Sequence, residues 1–158
     1  MRHSYAVSDN PAYIDQERPL TKSGIDLVRE TIPSITAWPV QTIIASSAVR
    51  TQQTAELILP AFPNVDQIHV QEELYLATVE QYVHQLKNLD TSINCAMLVG
   101  HNPSVANLIA NWSDQYHSVS PCTICVFQFS ISEWTSLKLV NSQRPTMAAC
   151  ISEGRQIR

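Results

Sequence analysis

Two short apolar runs constrain this chain more than any other feature. Residues 40–45 read Val-Gln-Thr-Ile-Ile-Ala and residues 94–99 read Asn-Cys-Ala-Met-Leu-Val, and each gives way at once to small or turn-forming residues. Runs of about six residues are too short for amphipathic helices, and β-branched or aliphatic character without alternation marks a strand covered on both faces. Parallel strands of that kind need crossover helices between them. The sequence supplies four stretches with helical spacing. Leu20, Gly24, Leu27 and Val28 follow one another behind Thr21, a predicted N-cap, and Pro33 ends or kinks that helix. Thr54, Leu57 and Ile58 lie behind Ser46 or Ser47, which are predicted to cap the second helix. Val79, Tyr82, Val83 and Leu86 form a third face, and Val105, Leu108, Ile109 and Trp112 a fourth. The pattern predicts an α/β fold.

Weaker signals fill in the rest. Residues 66–71 read as a further strand, and residues 124–131 and 134–140 as a hairpin turning at Ser132-Glu133. The chain beyond Arg144-Pro145 reads as irregular, and residues 5–17, with Asp9-Asn10-Pro11, as a surface loop. A length of 158 residues suits one domain, residues 1–158. No run approaches the roughly 18 apolar residues that span a bilayer, and no secretory leader opens the chain, so a cytoplasmic protein with no membrane partner is expected.

A net charge of −4 argues against nucleic acid as a partner. The four cysteines, Cys95, Cys122, Cys125 and Cys150, are too few and too scattered for a disulfide framework. Cys122 and Cys125 do form a Cys-x-x-Cys. It sits at a strand start, where residues three apart face opposite sides, so it reads as structural.

Chemistry gathers at three junctions: Arg2-His3 at the start, Ser46 to Ala55, and Gly100-His101-Asn102-Pro103. Open α/β sheets bind ligands outside the carboxyl ends of their strands. Two guanidinium forks and two imidazoles meeting there would suit a phosphoryl group. Arg50, in a helix first turn, opposes the helix dipole, a cost that a bound anion would offset. Neither a carboxylate cluster for a metal nor a Gly-rich phosphate loop is present in the sequence, and no cofactor is expected.

With these motifs in order, namely the Arg-His start, Arg18-Pro19-Leu20-Thr21-x-x-Gly24, Ser-x-x-x-Arg-Thr-x-Gln-Thr-Ala and Gly-His-Asn-Pro, the chain resembles the histidine phosphatase superfamily. Its nearest likeness there is the SixA-type phosphohistidine phosphatase branch. The resemblance implies a phosphoglycerate mutase-like fold, a three-layer α/β/α sandwich around a mostly parallel central sheet. It implies that His3 is the nucleophile, that Arg2, Arg50 and His101 bind the phosphoryl oxygens, and that no metal is needed. Glu73 is the expected general acid or water-assisting carboxylate, chosen over Glu72 and Glu80 because it precedes Leu74-Tyr75. Arg18 and Asn102 are expected at the rim, with pairing to a carboxylate the plainer role for Arg18. Arg2 and Arg50 are expected to press the His3 pKa down and keep the ring neutral.

In the family a short buried strand precedes the Arg-His pair, and no such run precedes it here. Met1 reads as the last residue of that strand, so the first strand looks truncated and the nucleophile is expected on a frayed terminus. Little sequence is available for a cap, so an open pocket admitting a phosphohistidine displayed on another protein is the favoured reading. A small phosphate ester as substrate remains an alternative, as does a non-catalytic phosphate-binding module.

Overall fold

In the computed structural model, which describes residues 1–8, 11–139, 144–152 and 155–156, both apolar runs form strands. Strand β1 is Thr42–Ser46 and β3 is Ala96–Val99; they pair in parallel, Ile43 opposite Met97 and Ala45 opposite Val99. The weaker run forms β2, Ile68–Gln71, parallel to β1 on its other side, giving the order β2-β1-β3. Helix α1 is Lys22–Thr31, α2 Val49–Ile58, α3 Val79–Lys87 and α4 Ser104–Ser113.

Alternation along the strands sorts the core into two layers. Ile43, Ala45, Met97 and Val99 pack with Val28 of α1 and with Ala55 and Ile58 of α2. Ile44, Ala96 and Leu98 pack with Tyr82, Val83 and Leu86 of α3 and with Val105, Leu108 and Ile109 of α4. Successive strand residues point to opposite faces, so strands with both faces apolar must be covered twice. The result is the expected three-layer α/β/α arrangement.

The far side of the molecule departs from the sequence reading. Strand β4, Ile124–Gln128, pairs antiparallel not with residues 134–140 but with β5, Thr146–Ser152, in the tail read as irregular; β5 pairs in turn with β6, Arg155–Gln156. The expected second hairpin strand is instead a 3-10 turn, Trp134–Ser136. Its Trp134 indole donates to the Ile93 carbonyl and Leu137 is fully buried against the α3 and α4 layer, so these residues anchor a loop. Val140, at the end of that expected strand, and Asp9 and Asn10, in the expected loop, lie outside the described residues. The β4–β5 register places Cys125 opposite Cys150, and the two form a disulfide, which the cysteine spacing did not suggest. Cys122 is buried and free, its sulfur 3.5 Å from the Thr31 hydroxyl.

Residues 1–3 join the two sheets. Arg2 bridges Gly100 in parallel, the Gly100 amide donates to the Met1 carbonyl (3.0 Å) and the His3 amide to the Gly100 carbonyl (3.0 Å). On the other side the Arg2 amide donates to Thr123 (2.9 Å) and the Cys122 amide to the His3 carbonyl (3.1 Å). The Met1 amino group donates to the Leu98 carbonyl at 2.7 Å, and its burial pushes its pKa down to about 5. The expected frayed terminus is therefore not observed, because both edges of this short stretch are hydrogen-bonded. Beyond Met1, β3 and β4 flank an apolar cavity of about 150 Å³ whose wall includes Trp38, Met97, Ile124 and Phe127. Among the described residues its wall carries no charged side chain. Among the described residues no helix is long and apolar enough to cross a membrane.

Candidate active site

Three strand ends deliver the candidate residues to one edge of the parallel sheet. His3 closes the terminal stretch beside Gly100, and His101 follows Gly100 directly at the end of β3. Arg50 is the second residue of α2, just after β1. The α2 N-cap is Ala48, with no side-chain cap, and not Ser46 or Ser47 as the sequence suggested. Both hydroxyls are used elsewhere: Ser46 Oγ lies 2.9 Å from His101 Nε2, and Ser47 Oγ accepts from Gln16 at 2.9 Å.

The His3 ring is oriented by its own neighbour. Nδ1 lies 2.7 Å from the Ser4 carbonyl oxygen. A carbonyl only accepts, so Nδ1 carries the proton and Nε2 the lone pair. The His3 and His101 rings meet edge to face, with centroids 5.1 Å apart. Burial pushes the His3 pKa down to about 4, with Arg50 and Arg2 adding to the fall and the Ser4 hydrogen bond opposing it. The direction is the one expected, but desolvation leads and the arginines follow. His101, pushed down to about 3 chiefly by burial and then by His3, is neutral as well. Its Nδ1 is buried and has no hydrogen-bond partner among the described residues.

Arg50 is 4% exposed. A buried guanidinium requires a partner, and the partner is Asp15, which the sequence reading left in a surface loop. Arg50 Nη2 lies 3.0 Å from Asp15 Oδ2, and Nη1 donates to the Asp15 carbonyl. Asp15 begins a 3-10 turn, Asp15–Glu17, that brings it over α2. Arg18 reaches the same carboxylate, Nη2 to Oδ1 at 2.8 Å, and the Tyr75 hydroxyl donates to Oδ2 at 2.7 Å. The plainer expectation for Arg18, pairing with a carboxylate, thus also puts it beside Arg50. The Tyr75 ring stands edge-on to His101, centroids 5.9 Å apart. The three-residue spacing of Asp15 and Arg18 was the available signal for this pair; nothing in the sequence linked either to Tyr75.

Arg2 and Asn102 converge on one acceptor, the Val119 carbonyl, at 2.8 and 3.0 Å. Asn102 precedes Pro103 through a cis peptide bond, and its side-chain oxygen is buried without a partner among the described residues. Glu73 is exposed on the turn Glu72–Leu74, and no hydrogen bond or ion pair among the described residues ties its carboxylate to the histidines or arginines. Glu72 instead receives Gln16 at 3.4 Å.

A supporting layer explains the other motif letters. Thr54 Oγ1 accepts from the Ser4 amide at 3.2 Å and donates to the Arg50 carbonyl at 2.7 Å, coupling the His3 loop to α2. Gln53 accepts from the Leu20 amide at 2.8 Å, fixing the Arg18-Pro19 segment. The Tyr82 hydroxyl accepts from the His101 amide at 3.3 Å, and a Cβ on Gly100 would overlap that hydroxyl. Glycine is required there by close approach.

No protein-family model matches the sequence, and no curated protein matches it. Solved structures do. The candidate phosphohistidine phosphatase SixA from Agrobacterium tumefaciens superposes with a TM-score of 0.78 at 21% identity, over 96% of this chain and 94% of that one. The protein histidine phosphatase SixA complexed with tungstate gives 0.76 at 19%, over 97% and 94%. The candidate alpha-ribazole-5'-P phosphatase from Escherichia coli gives 0.69 at 14%, over 97% and 95%. The chain has the phosphoglycerate mutase-like fold, and its structural neighbours are SixA phosphohistidine phosphatases and other members of the histidine phosphatase superfamily.

Proposed function

We propose that residues 1–158 form one histidine phosphatase domain that passes a phosphoryl group from substrate to His3 Nε2 and then to water, with phosphohistidine on another protein as the substrate. The observation that carries this reading is the fixed tautomer of His3. The Ser4 carbonyl holds the Nδ1 proton, and a lone pair on Nε2 stands in a neutral ring beside buried Arg50 and neutral His101. A nucleophile needs that lone pair free and aimed.

Arg2, Arg50 and His101 then receive the phosphoryl oxygens. Charge on those oxygens dominates in-line transfer, and preorganised donors stabilise it without covalent chemistry. The buried Nδ1 of His101 is suited to donate, with Nε2 accepting from Ser46. Tungstate, bound by one structural neighbour, is a tetrahedral oxyanion of the kind such a cradle takes. Asn102 and Arg18 belong to the rim. The reading does not depend on Glu73, because a phosphorylated imidazole leaves without strong acid assistance.

The test is trapping. Brief reaction with a radiolabelled phosphohistidine peptide yields an acid-labile, base-stable phosphoprotein in the wild type and none in His3→Ala. Label retained by His3→Ala excludes this reading. Turnover of phosphate esters alone, across a panel that includes the peptide, redirects it to a small-metabolite phosphomonoesterase.

A further inference from the structure

Asp15 occupies a place in the cluster that the reaction above does not use. Three segments converge on its carboxylate: Arg50 at 3.0 Å, Arg18 at 2.8 Å and the Tyr75 hydroxyl at 2.7 Å. Its side chain is 46% exposed, whereas that of Arg50 is 5% exposed, so the carboxylate lies on the solvent side of the guanidinium. In-line transfer puts the leaving group opposite the nucleophile. His3 is half-buried and follows the stretch paired with Gly100, so a leaving group opposite it that departs toward solvent would pass the side on which Asp15 lies. The Tyr75 hydrogen bond first, and then Arg50 and Arg18, hold the carboxyl below its ordinary pKa, so it is ionised and has no proton to give.

We propose that Asp15 is a specificity-determining residue that accepts a hydrogen bond from the far ring nitrogen of a phosphorylated imidazole and thereby favours that leaving group over an alkoxide. This rests on the phosphatase reading above and adds to it the residue that reads the substrate. When phosphoryl oxygens take Arg50, the hydroxyl of Tyr75 and the Arg18 fork keep the carboxylate at the rim. A carboxylate offers about four acceptor positions, so room for one more donor remains.

His3 Nε2 bonds to phosphorus as the bond from phosphorus to the substrate ring nitrogen breaks, and that electron pair stays on the ring. With the far nitrogen protonated and held by Asp15, the departing group is neutral imidazole and no proton need move. An ester attacked in the same way releases an oxyanion, an alkoxide or, from p-nitrophenyl phosphate, a phenolate, which an ionised carboxylate repels and cannot protonate. The two rings are held alike: the Ser4 carbonyl holds the Nδ1 proton of His3, and Asp15 holds the corresponding proton of the substrate.

The experiment compares kcat/KM for a phosphohistidine peptide and for p-nitrophenyl phosphate in the wild type, Asp15→Asn and Asp15→Glu. A hydrogen bond to an ionised acceptor is strong enough that Asp15→Asn should lower the peptide-to-ester ratio by about ten-fold or more. Asp15→Glu, which keeps the charge, should recover part of that ratio. A ratio unchanged in Asp15→Asn means that Asp15 only positions Arg50, and it overturns the proposal; so does a ratio in Asp15→Glu no better than in Asp15→Asn. A wild type that hydrolyses the ester but not the peptide overturns the specificity role and leaves a phosphatase. A wild type inert on both overturns the phosphatase reading itself.

Discussion

The floor and the rim of the candidate site are held by different means. On the floor, His3, Arg50 and His101 each follow a strand or strand-like stretch of one parallel sheet, and Arg50 and His101 are almost wholly buried. On the rim, Asp15 opens a short 3-10 turn that Arg18 caps, Tyr75 caps another, and the Asp15 side chain is about half exposed. Sheet hydrogen bonds fix floor groups to within a fraction of an ångström, as in-line chemistry requires. The rim is held mainly by side-chain contacts, among them Arg18 and Tyr75 to Asp15.

Perturbing the floor should cost far more than perturbing the rim. His3→Ala removes the attacking atom and should abolish turnover, with melting temperature little changed; activity within ten-fold of wild type would break the contrast at its root. Arg50→Ala removes one preorganised donor and should lower kcat by about 10²–10³. The same change strips Asp15 of its deepest partner, so measuring Arg50→Ala against Arg50→Lys separates lost charge from lost fork geometry. Gly100→Ala forces the Tyr82 hydroxyl off the His101 amide. Overpacking of this kind costs about 1–3 kcal/mol, readable in denaturant unfolding, together with a drop in kcat. Tyr75→Phe, a rim change, should shift KM by only a few-fold; a loss as large as that of Arg50→Ala would erase the distinction.

The smallest expected effect is that of pH. A free imidazole titrates near ~6.5, while burial puts His3 at about 4. The neutral ring then persists in acid, and at pH 5 only about a tenth of the His3 side chains carry a proton. NMR titration of the free protein should show no His3 transition between pH 5.5 and 8, and a midpoint above 6 would contradict the burial account. The unfolded chain binds a proton at His3 near ~6.5 and the folded chain only near 4, so folding weakens as pH falls between those values.

The floor was legible because its signals are local. Strands at residues 40–45 and 94–99 announce themselves by apolar runs, and the residues just beyond them share one sheet edge by topology. The Thr21 cap and the α1 face were legible for the same reason, since Thr21 does accept from the Gly24 amide. The β4–β5 pairing was not legible. Residues 146–152 lack a strong alternating pattern, and the aromatic residues around Trp134 resemble a strand while serving as anchors. Asp15 was missed because an aspartate in a polar loop looks solvated until a guanidinium 35 residues away is known to lie beneath it.

By itself the sequence determined the α/β class, the order of strands and helices through β3, and the junctions that carry Arg2, His3, Arg50 and His101, because backbone periodicity and turn chemistry act over a few residues. Only the tertiary structure decided how the His3 proton is held, that burial more than charge lowers its pKa, and that Asp15 closes over Arg50. Those are matters of desolvation and long-range contact, and they take definite values only when distant segments exclude water from the same place.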